Sequence, residues 1–262
     1  MSYPPITVRF LGTGTSSGVP MVACDCAVCT STDTKDKRLR SSILIQSATT
    51  TVAVDAGPDF RAQMLRENVK KLDAILFTHS HKDHIAGLDD VRGFNYFAQK
   101  PMDIFGSEMT FEVIIREFSY AFTEKKYPGA PEIRLNTINN TPFTIGDLVI
   151  EPIPVWHLHM PVLGYRFGKF TYITDANKIE EDSRKKIRGS DILVLNALRK
   201  EKHISHFTLG EAIDMVNALE IPRARFTHIS HQLGRHEDIS RELPEGIALA
   251  YDGLQLHLPE AK

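Results

Sequence analysis

The sequence predicts an α/β protein of four layers, an αββα sandwich in which two sheets pack face to face with helices outside. Three observations predict it. Short β-branched and aromatic runs precede helix-spaced runs in both halves of the chain. No low-complexity linker or break in composition separates the halves, so residues 1–262 are expected to form one domain. The residues that carry chemistry fall just past the ends of the apolar runs, where loops carry function.

The elements follow in order. Thr7 to Leu11 reads as a strand rich in β-branched and aromatic residues. It runs into Gly12-Thr13-Gly14-Thr15-Ser16-Ser17-Gly18-Val19-Pro20, whose glycine spacing does not suit a dinucleotide loop. It reads instead as a turn that lets backbone approach a site closely. Ser42 to Gln46 and Thr50 to Val54 read as paired strands, the second ending in Asp55-Ala56-Gly57. Residues 58–68 have helical spacing, and Ala74 to Phe77 is a buried strand. Ile85 to Phe97 reads as one helix and Glu108 to Phe122 as a stronger amphipathic one. In the second half, Leu148 to Val155 is a strand ending at Trp156-His157. Leu163 to Phe167 and Phe170 to Thr174 follow, the latter ending at Asp175, and Ile192 to Leu195 is another buried strand. Thr208 to Leu219 has its apolar residues on one helical side. Arg225 to Thr227 leads to His228, and Ile247 to Tyr251 and Leu254 to Leu258 read as the last strands.

Composition narrows the function classes. The chain is 42% hydrophobic and 24% charged, as ordinary globular proteins are. A formal net charge of −2 argues against an electrostatic nucleic-acid binder. No run approaches the roughly 20 apolar residues that span a bilayer, so no membrane partner is expected. Met1-Ser2-Tyr3-Pro4-Pro5 has neither a basic nor an apolar export region, so a cytoplasmic location is expected. Cys24, Cys26 and Cys29 are an odd, clustered set, better suited to thiolate ligation of a metal than to disulfides.

The run Thr78-His79-Ser80-His81-Lys82-Asp83-His84 places three imidazoles and a carboxylate within six residues, directly after an apolar strand. These groups bind divalent transition metals at neutral pH. His79 and His81 are two apart in an extended segment and can point the same way. Asp83 and His84 are adjacent and must diverge, which suits a second metal. His157, Asp175 and His228 also follow strands. Seven ligands, one of them a bridging carboxylate, suit two ions about 3.5–4 Å apart. Separately, Cys24-x-Cys26-x-x-Cys29 offers three thiolates in a small loop at about 20–30 and needs a fourth ligand to close a tetrahedral zinc. His231 is the natural candidate, with His236 as the alternative.

His79-x-His81-x-Asp83-His84 resembles the HxHxDH signature of the metallo-β-lactamase fold superfamily. Asp55 in Val-Asp-Ala-Gly, His157, Asp175 in Tyr-Ile-Thr-Asp and His228 follow in the family's order, so the resemblance covers nearly the whole chain. It implies that His79, His81, His157 and Asp175 hold one metal. Asp83, His84, Asp175 and His228 would hold the other, with Asp175 bridging, Asp83 counted among the catalytic residues and Asp55 behind the ligands. His157-Leu-His-Met-Pro161 resembles a family stretch whose ligand lies four before the proline, which selects His157 over His159. The cysteine cluster with His231 resembles the phosphoribosyl 1,2-cyclic phosphate phosphodiesterase branch, which carries such a zinc site. His203-Ile-Ser-His206-Phe-Thr resembles a stretch of that branch whose second histidine is its acid–base residue, here His206. His203 itself reads as a surface or helix-start residue.

The activity implied is hydrolysis of a small cyclic phosphate or related phosphodiester by a hydroxide held between two metals, with His206 protonating the leaving oxygen. The implied cofactors are two divalent ions, zinc or manganese with iron as a third option, and one structural zinc. Arg199, Arg38 and Arg40 read first as solvated cations and second as phosphate contacts. A tRNA 3′-processing endonuclease is the first rival, since Phe10-Leu-Gly-Thr-Gly-Thr also resembles that family. A net charge of −2 offers a phosphate backbone little attraction, so nucleic acid is the less expected partner. A lactone or thioester hydrolase and a non-catalytic metal-binding module are the other rivals. A homodimer is suggested by the resemblance alone.

Overall fold

A computed structural model describes residues 3–125 and 127–261; Met1 and Ser2 of the N-terminal stretch weighed above lie outside them. The first half runs β1 (Ile6–Gly12), β2 (Ser42–Gln46), β3 (Thr51–Val54), α1 (Phe60–Arg66), β4 (Ala74–Leu76), α2 (Lys82–Ile85), α3 (Arg92–Ala98), β5 (Met102–Gly106), α4 (Glu108–Glu117) and β6 (Ile133–Thr137). The second runs β7 (Phe143–Ile145), β8 (Leu148–His157), β9 (Met160–Phe167), β10 (Phe170–Tyr172), α5 (Glu181–Ile187), β11 (Ile192–Asn196), α6 (Leu209–Ala218), β12 (Ala224–Thr227), α7 (His236–Glu242), β13 (Ile247–Leu249) and β14 (Gln255–Leu258). Two seven-stranded mixed sheets result, in the orders β14-β1-β2-β3-β4-β5-β6 and β13-β12-β11-β10-β9-β8-β7. The last strand crosses to the first sheet, where Leu258 pairs antiparallel with Ile6.

The near-continuous apolar runs are explained by burial on both faces of each sheet. Alternate residues of one strand go to different cores. Ile43, Ile45, Val52, Val54, Ala74 and Leu76 meet Tyr165, Tyr172, Ile192 and Val194 in the layer between the sheets. Leu44, Ala53, Ile75 and Phe77 turn outward, against Phe60 and Met64 of α1 and Phe111 and Ile114 of α4. In the second sheet Leu193 and Leu195 turn outward onto Ala212, Met215 and Val216 of α6. Each such large side chain, fully buried, stabilises the fold by about 1.5–3 kcal/mol. The start of α6 is set by a reciprocal cap: Glu211 N–H donates to Thr208 Oγ1 and Thr208 N–H donates to the Glu211 carboxylate.

The expected strands lie within a few residues of those observed, but the single helix expected over 85–97 is broken. It consists of α2, a 3-10 turn at Leu88–Val91, and α3. The break has a packing cause. A Cβ on Gly87 would stand 2.0 Å from the Gly57 carbonyl oxygen, and one on Gly57 would stand 1.9 Å from that of Asp83. The backbones of the 55–57 turn and the α2 region therefore touch, which a continuous helix of larger residues would prevent. Likewise the helix expected to reach Phe122 stops at Glu117 and gives way to a 3-10 turn at Ser119–Ala121. Strands β5, β6 and β7 and helices α5 and α7 were not foreseen. β6, for example, has no buried residue to give it a pattern. Among the described residues no helix is long and apolar enough to cross a membrane.

Candidate metal centre

Asp55 follows β3, His79 follows β4, His157 ends β8, Asp175 follows β10, and His228 follows β12. Parallel pairing of β3 with β4, and of β10 with β11 and β11 with β12, brings strand ends to a common rim. Asp55, Asp175 and His228 hold left-handed backbone, with φ of 66°, 53° and 56°. Asp and His enter that region more readily than most side chains, and such conformations concentrate where function requires a sharp exit from a strand.

The rim gathers five of the seven expected ligands into two donor sets, and His79 and His81 lie outside both. Donor atoms of Asp83, His84, Asp175 and His228 all lie within 4.8 Å of one another, and so do those of His157, Asp175 and His206. Asp175 belongs to both sets. Its Oδ2 lies 3.1 Å from His228 Nδ1 and 3.2 Å from His84 Nε2, and its Oδ1 lies 3.0 Å from His206 Nε2. The rings of His79 and His81 stand 4.7 Å apart, and that of His81 is 5.2 Å from His157. His157 is buried whereas His159 is exposed. His206 is thus closer to the ligand set than its sequence context suggested.

The charges suit a cation at this point. Asp55, Asp83 and Asp175 surround the one imidazole of His84, leaving negative charge in excess. Burial disfavours charge on His84, but these carboxylates outweigh it and push its pKa well above the imidazole range. Burial likewise opposes charge on Asp175, yet His228 and His84 hold it well below the usual carboxylate range. Burial keeps His79 well below the imidazole range, lowers His157, and brings His228 down to about 4. Neutral imidazoles are the form that ligates. Nε2 of His79 and Nε2 of His84 are buried without a hydrogen-bond partner. Orphaned nitrogens among crowded carboxylates are the donor chemistry that a cation satisfies, so the residues fit a divalent pair.

Several supporting residues carried no distinct sequence signal. Thr78 donates from both N–H and Oγ1 to the Asp55 carboxylate, and its Oγ1 is 2.9 Å from His79 Nδ1. Thr174 Oγ1 donates to Asp175 Oδ2. Asn196 clamps the next residue, accepting from Ala176 N–H and donating to its carbonyl. Ser205 serves two histidines: its carbonyl lies 2.8 Å from His157 Nδ1 and its hydroxyl 3.1 Å from His206 Nδ1. The hydroxyls of Thr78 and Thr174 directly precede ligands, the only hint available in sequence. His203, expected on the surface, instead places Nδ1 3.2 Å from His206 Nδ1.

A second group forms at the 20–30 loop. Cys24, Cys26, Cys29 and His231 bring their donor atoms within 4.8 Å of one another. His231 Nδ1 lies 3.3 Å from Cys24 Sγ and 3.4 Å from Cys26 Sγ. The His231 hydrogen bond leads the causes that bring the Cys26 thiol down to about 6, while burial pushes Cys29 up to about 11. His236 is elsewhere, 3.0 Å from Arg38 Nη2. Arg38 corrects the solvated reading: it is 4% exposed and donates to Thr13 Oγ1 and the Ala250 carbonyl, leaving it unavailable to a substrate. Arg40 pairs with Asp59, and Arg199 donates to Gln232 beside a cleft of about 630 Å³ that Thr15, Cys24 and His203 also line.

The sequence profile of the beta-lactamase superfamily domain matches residues 50–229. A crystal structure of a new diphosphatase from the PhnP family superposes with a TM-score of 0.90 at 41% identity, over 97% of this chain and 98% of that one. An octanoyltransferase of Porphyromonas gingivalis is 36% identical over 95% of this chain, which spans about half (51%) of that relative's length. A ribonuclease Z of an Exiguobacterium species is 23% identical over 90% of this chain and 93% of its own.

Proposed function

Because the chain belongs to the beta-lactamase superfamily, and within it to the PhnP family, we propose that it is a hydrolase that uses two divalent metals to cleave a small cyclic phosphate or related phosphodiester. The observation that carries the reading is the position of Asp175, whose two oxygens face two separate groups of donors. His79, His81, His157 and Asp175 would hold one ion, and Asp83, His84, Asp175 and His228 the other. Bound metals supply Lewis-acid charge at a phosphoryl oxygen and lower the pKa of water to near neutrality.

The chain's own residues supply the rest. Asp55 and Thr78 fix His84 and His79 from behind. His206 stands at the rim with Nε2 toward Asp175, and in this reading it gives a proton to a leaving oxygen. The Ser205 hydroxyl can donate to or accept from His206 Nδ1, so it holds the ring in either protonation state. Cys24, Cys26, Cys29 and His231 would close a structural zinc three residues beyond His228, tying the 20–30 loop to the site wall. Free thiols at that loop suit a reducing cytoplasm.

The test is hydrolysis of bis-p-nitrophenyl phosphate with added Mn²⁺, followed by comparison of kcat/KM across a ribose cyclic phosphate, 2′,3′-cyclic nucleotides, dinucleotides and a pre-tRNA. We expect turnover of the small diesters. Full metal occupancy with no hydrolysis of any of them would instead leave a metal-binding module, and a kcat/KM highest for the pre-tRNA would make the chain a processing nuclease.

A further inference from the structure

The cleft of about 630 Å³ beside the metal centre has a polar inner end and an apolar outer wall. At the inner end Thr15 Oγ1 lies 3.1 Å from His228 Nε2, and His203 reaches His206 through Nδ1. The wall is Met21 and Val22 of the 20–30 loop. Val22 is 89% exposed, although Val28 and Cys29 of the same loop are buried. Cys24 N–H donates to the Met21 carbonyl across a four-residue turn, and Ala23 takes left-handed backbone, with φ of 63°, within it. Alanine rarely adopts that conformation, and such strain concentrates at segments that bind ligands. Two more exposed apolar residues, Leu158 and Ile204, directly follow His157 and His203. Asn177 ties them together, accepting from the Leu158 N–H and donating to the Ile204 carbonyl. The approach to a charged centre therefore carries exposed apolar side chains.

Arg199 is the permanent cation of this cleft. It donates to three neutral acceptors, Gln232 Oε1 and the carbonyls of Glu201 and Lys202. Lys200 beside it pairs with Glu242, whereas among the described residues no carboxylate lies within ion-pairing distance of Arg199. Asp25, the acid that lines the cleft, stands on the 20–30 loop without reaching it. A guanidinium has five N–H donors, so three bonds aim the group and leave two donors and an uncompensated charge for an anion. Pockets of about 300–1,000 Å³ take small ligands, so the cleft has room for a nucleotide-sized group. A wall of two exposed side chains covers one face of a flat ring and leaves its edge in water, whereas an alkyl chain would need enclosure all round. A flat ring joined to an anion is the chemistry of a nucleotide. A net charge of −2 favours a short one over a polynucleotide.

Resting on the hydrolase reading above, we infer that this cleft binds the leaving half of the substrate, a 5′-phosphorylated nucleotide: Arg199 takes its phosphate, and Val22 with Met21 takes one face of its base. The substrate is then a short 5′-phosphorylated phosphodiester such as the dinucleotide pApA. The oxygen of water bonds to phosphorus, the P–O3′ bond breaks, and the 3′ oxygen leaves with the proton of His206, which a proton given up by the water restores. The products are two molecules of 5′-AMP. The test uses the metal-loaded full chain. By calorimetry 5′-AMP should bind at least about 10-fold more tightly than adenosine, ribose 5-phosphate or inorganic phosphate. Arg199→Gln should remove the gain over adenosine. Val22→Ser, at a position already exposed, should cut the gain over ribose 5-phosphate about 3-fold. In kcat/KM, pApA should exceed ApA by about 10-fold or more, and Arg199→Gln should bring that ratio near one. Both dinucleotides meet the same metals and the same acid, so the ratio does not report damage to either. AMP that binds no more tightly than inorganic phosphate overturns the inference, as does a preference for pApA that survives Arg199→Gln. Val22→Ser without effect overturns the base wall. Hydrolysis of bis-p-nitrophenyl phosphate with a wild-type ratio near one overturns the inference and spares the hydrolase reading, whereas no hydrolysis of any diester overturns both.

Discussion

Oδ2 of Asp55 lies 2.7 Å from Nδ1 of His84, both side chains being fully buried. Asp55 therefore takes one ring nitrogen of His84 and leaves Nε2 to face Asp83 and Asp175. A carboxylate in this position fixes the tautomer and orientation of a ligating imidazole and raises its basicity. Asp55→Asn keeps the shape but replaces the charge. Metal affinity should fall about 10–100-fold, measured by competition with a chromophoric chelator. Unchanged affinity would mean that His84 does not ligate.

His206 has two readings that one variant separates. Its distance of 3.0 Å to Asp175 Oδ1 fits a proton donor poised at the rim, but its nearness to His157 also fits a ligand. As the acid, His206→Ala should lower turnover by about two to four orders of magnitude while both metals stay bound. The loss should be small for a p-nitrophenyl leaving group, which departs without protonation, and large for an alkoxide. Loss of one metal equivalent by elemental analysis would make it a ligand instead.

The cysteine group should behave as a site of its own. Cys26→Ser removes a thiolate whose proton is already weakly held, at about 6, chiefly through His231. One zinc equivalent should disappear and Tm should drop by several degrees, because binding free energy at a structural zinc is folding free energy. Zinc that persists at full stoichiometry after the rim metals are chelated away from this variant would remove the assignment.

What was legible in the sequence and what was not divide along physical lines. His79, His81, Asp83 and His84 could be read because a short spacing fixes relative direction. The strand that carries Ile43, Leu44 and Ile45 could be read because burial on both faces makes a continuous apolar run, but which core each residue enters is seen only in the fold. The break after α2 could not, because it depends on Gly57 meeting Gly87 and Asp83 across 30 residues. Ser205 and Asn196 could not, because a single hydroxyl or amide has no periodic signal, and what matters is the neighbour that the fold supplies. Arg38 was misread for the same reason: nothing in its local sequence announces that Thr13, Ala250 and His236 enclose it.

That enclosure makes stability depend on pH. His236 is buried and its pKa is pushed down to about 4, by burial first and by the Arg38 and Lys35 charges next. Its backbone N–H donates to Asp36 Oδ1, which anchors the residue at the start of α7. In the unfolded chain the imidazole titrates near 6.5. Between these two values the unfolded state binds the extra proton, so stability rises with pH and is lost as pH falls from about 6.5 to about 4. The contribution should be about 1–2 kcal/mol, after a discount for solvent near the ring. Metal ligands titrate in the same range, so the measurement is a difference between two proteins. Urea midpoints of the wild type and His236→Gln are compared from pH 7.5 to 4. Gln still offers Arg38 an acceptor but cannot take the proton. Its curve should fall less steeply below pH 6.5, and parallel curves would show that the ring's titration has no part in acid stability.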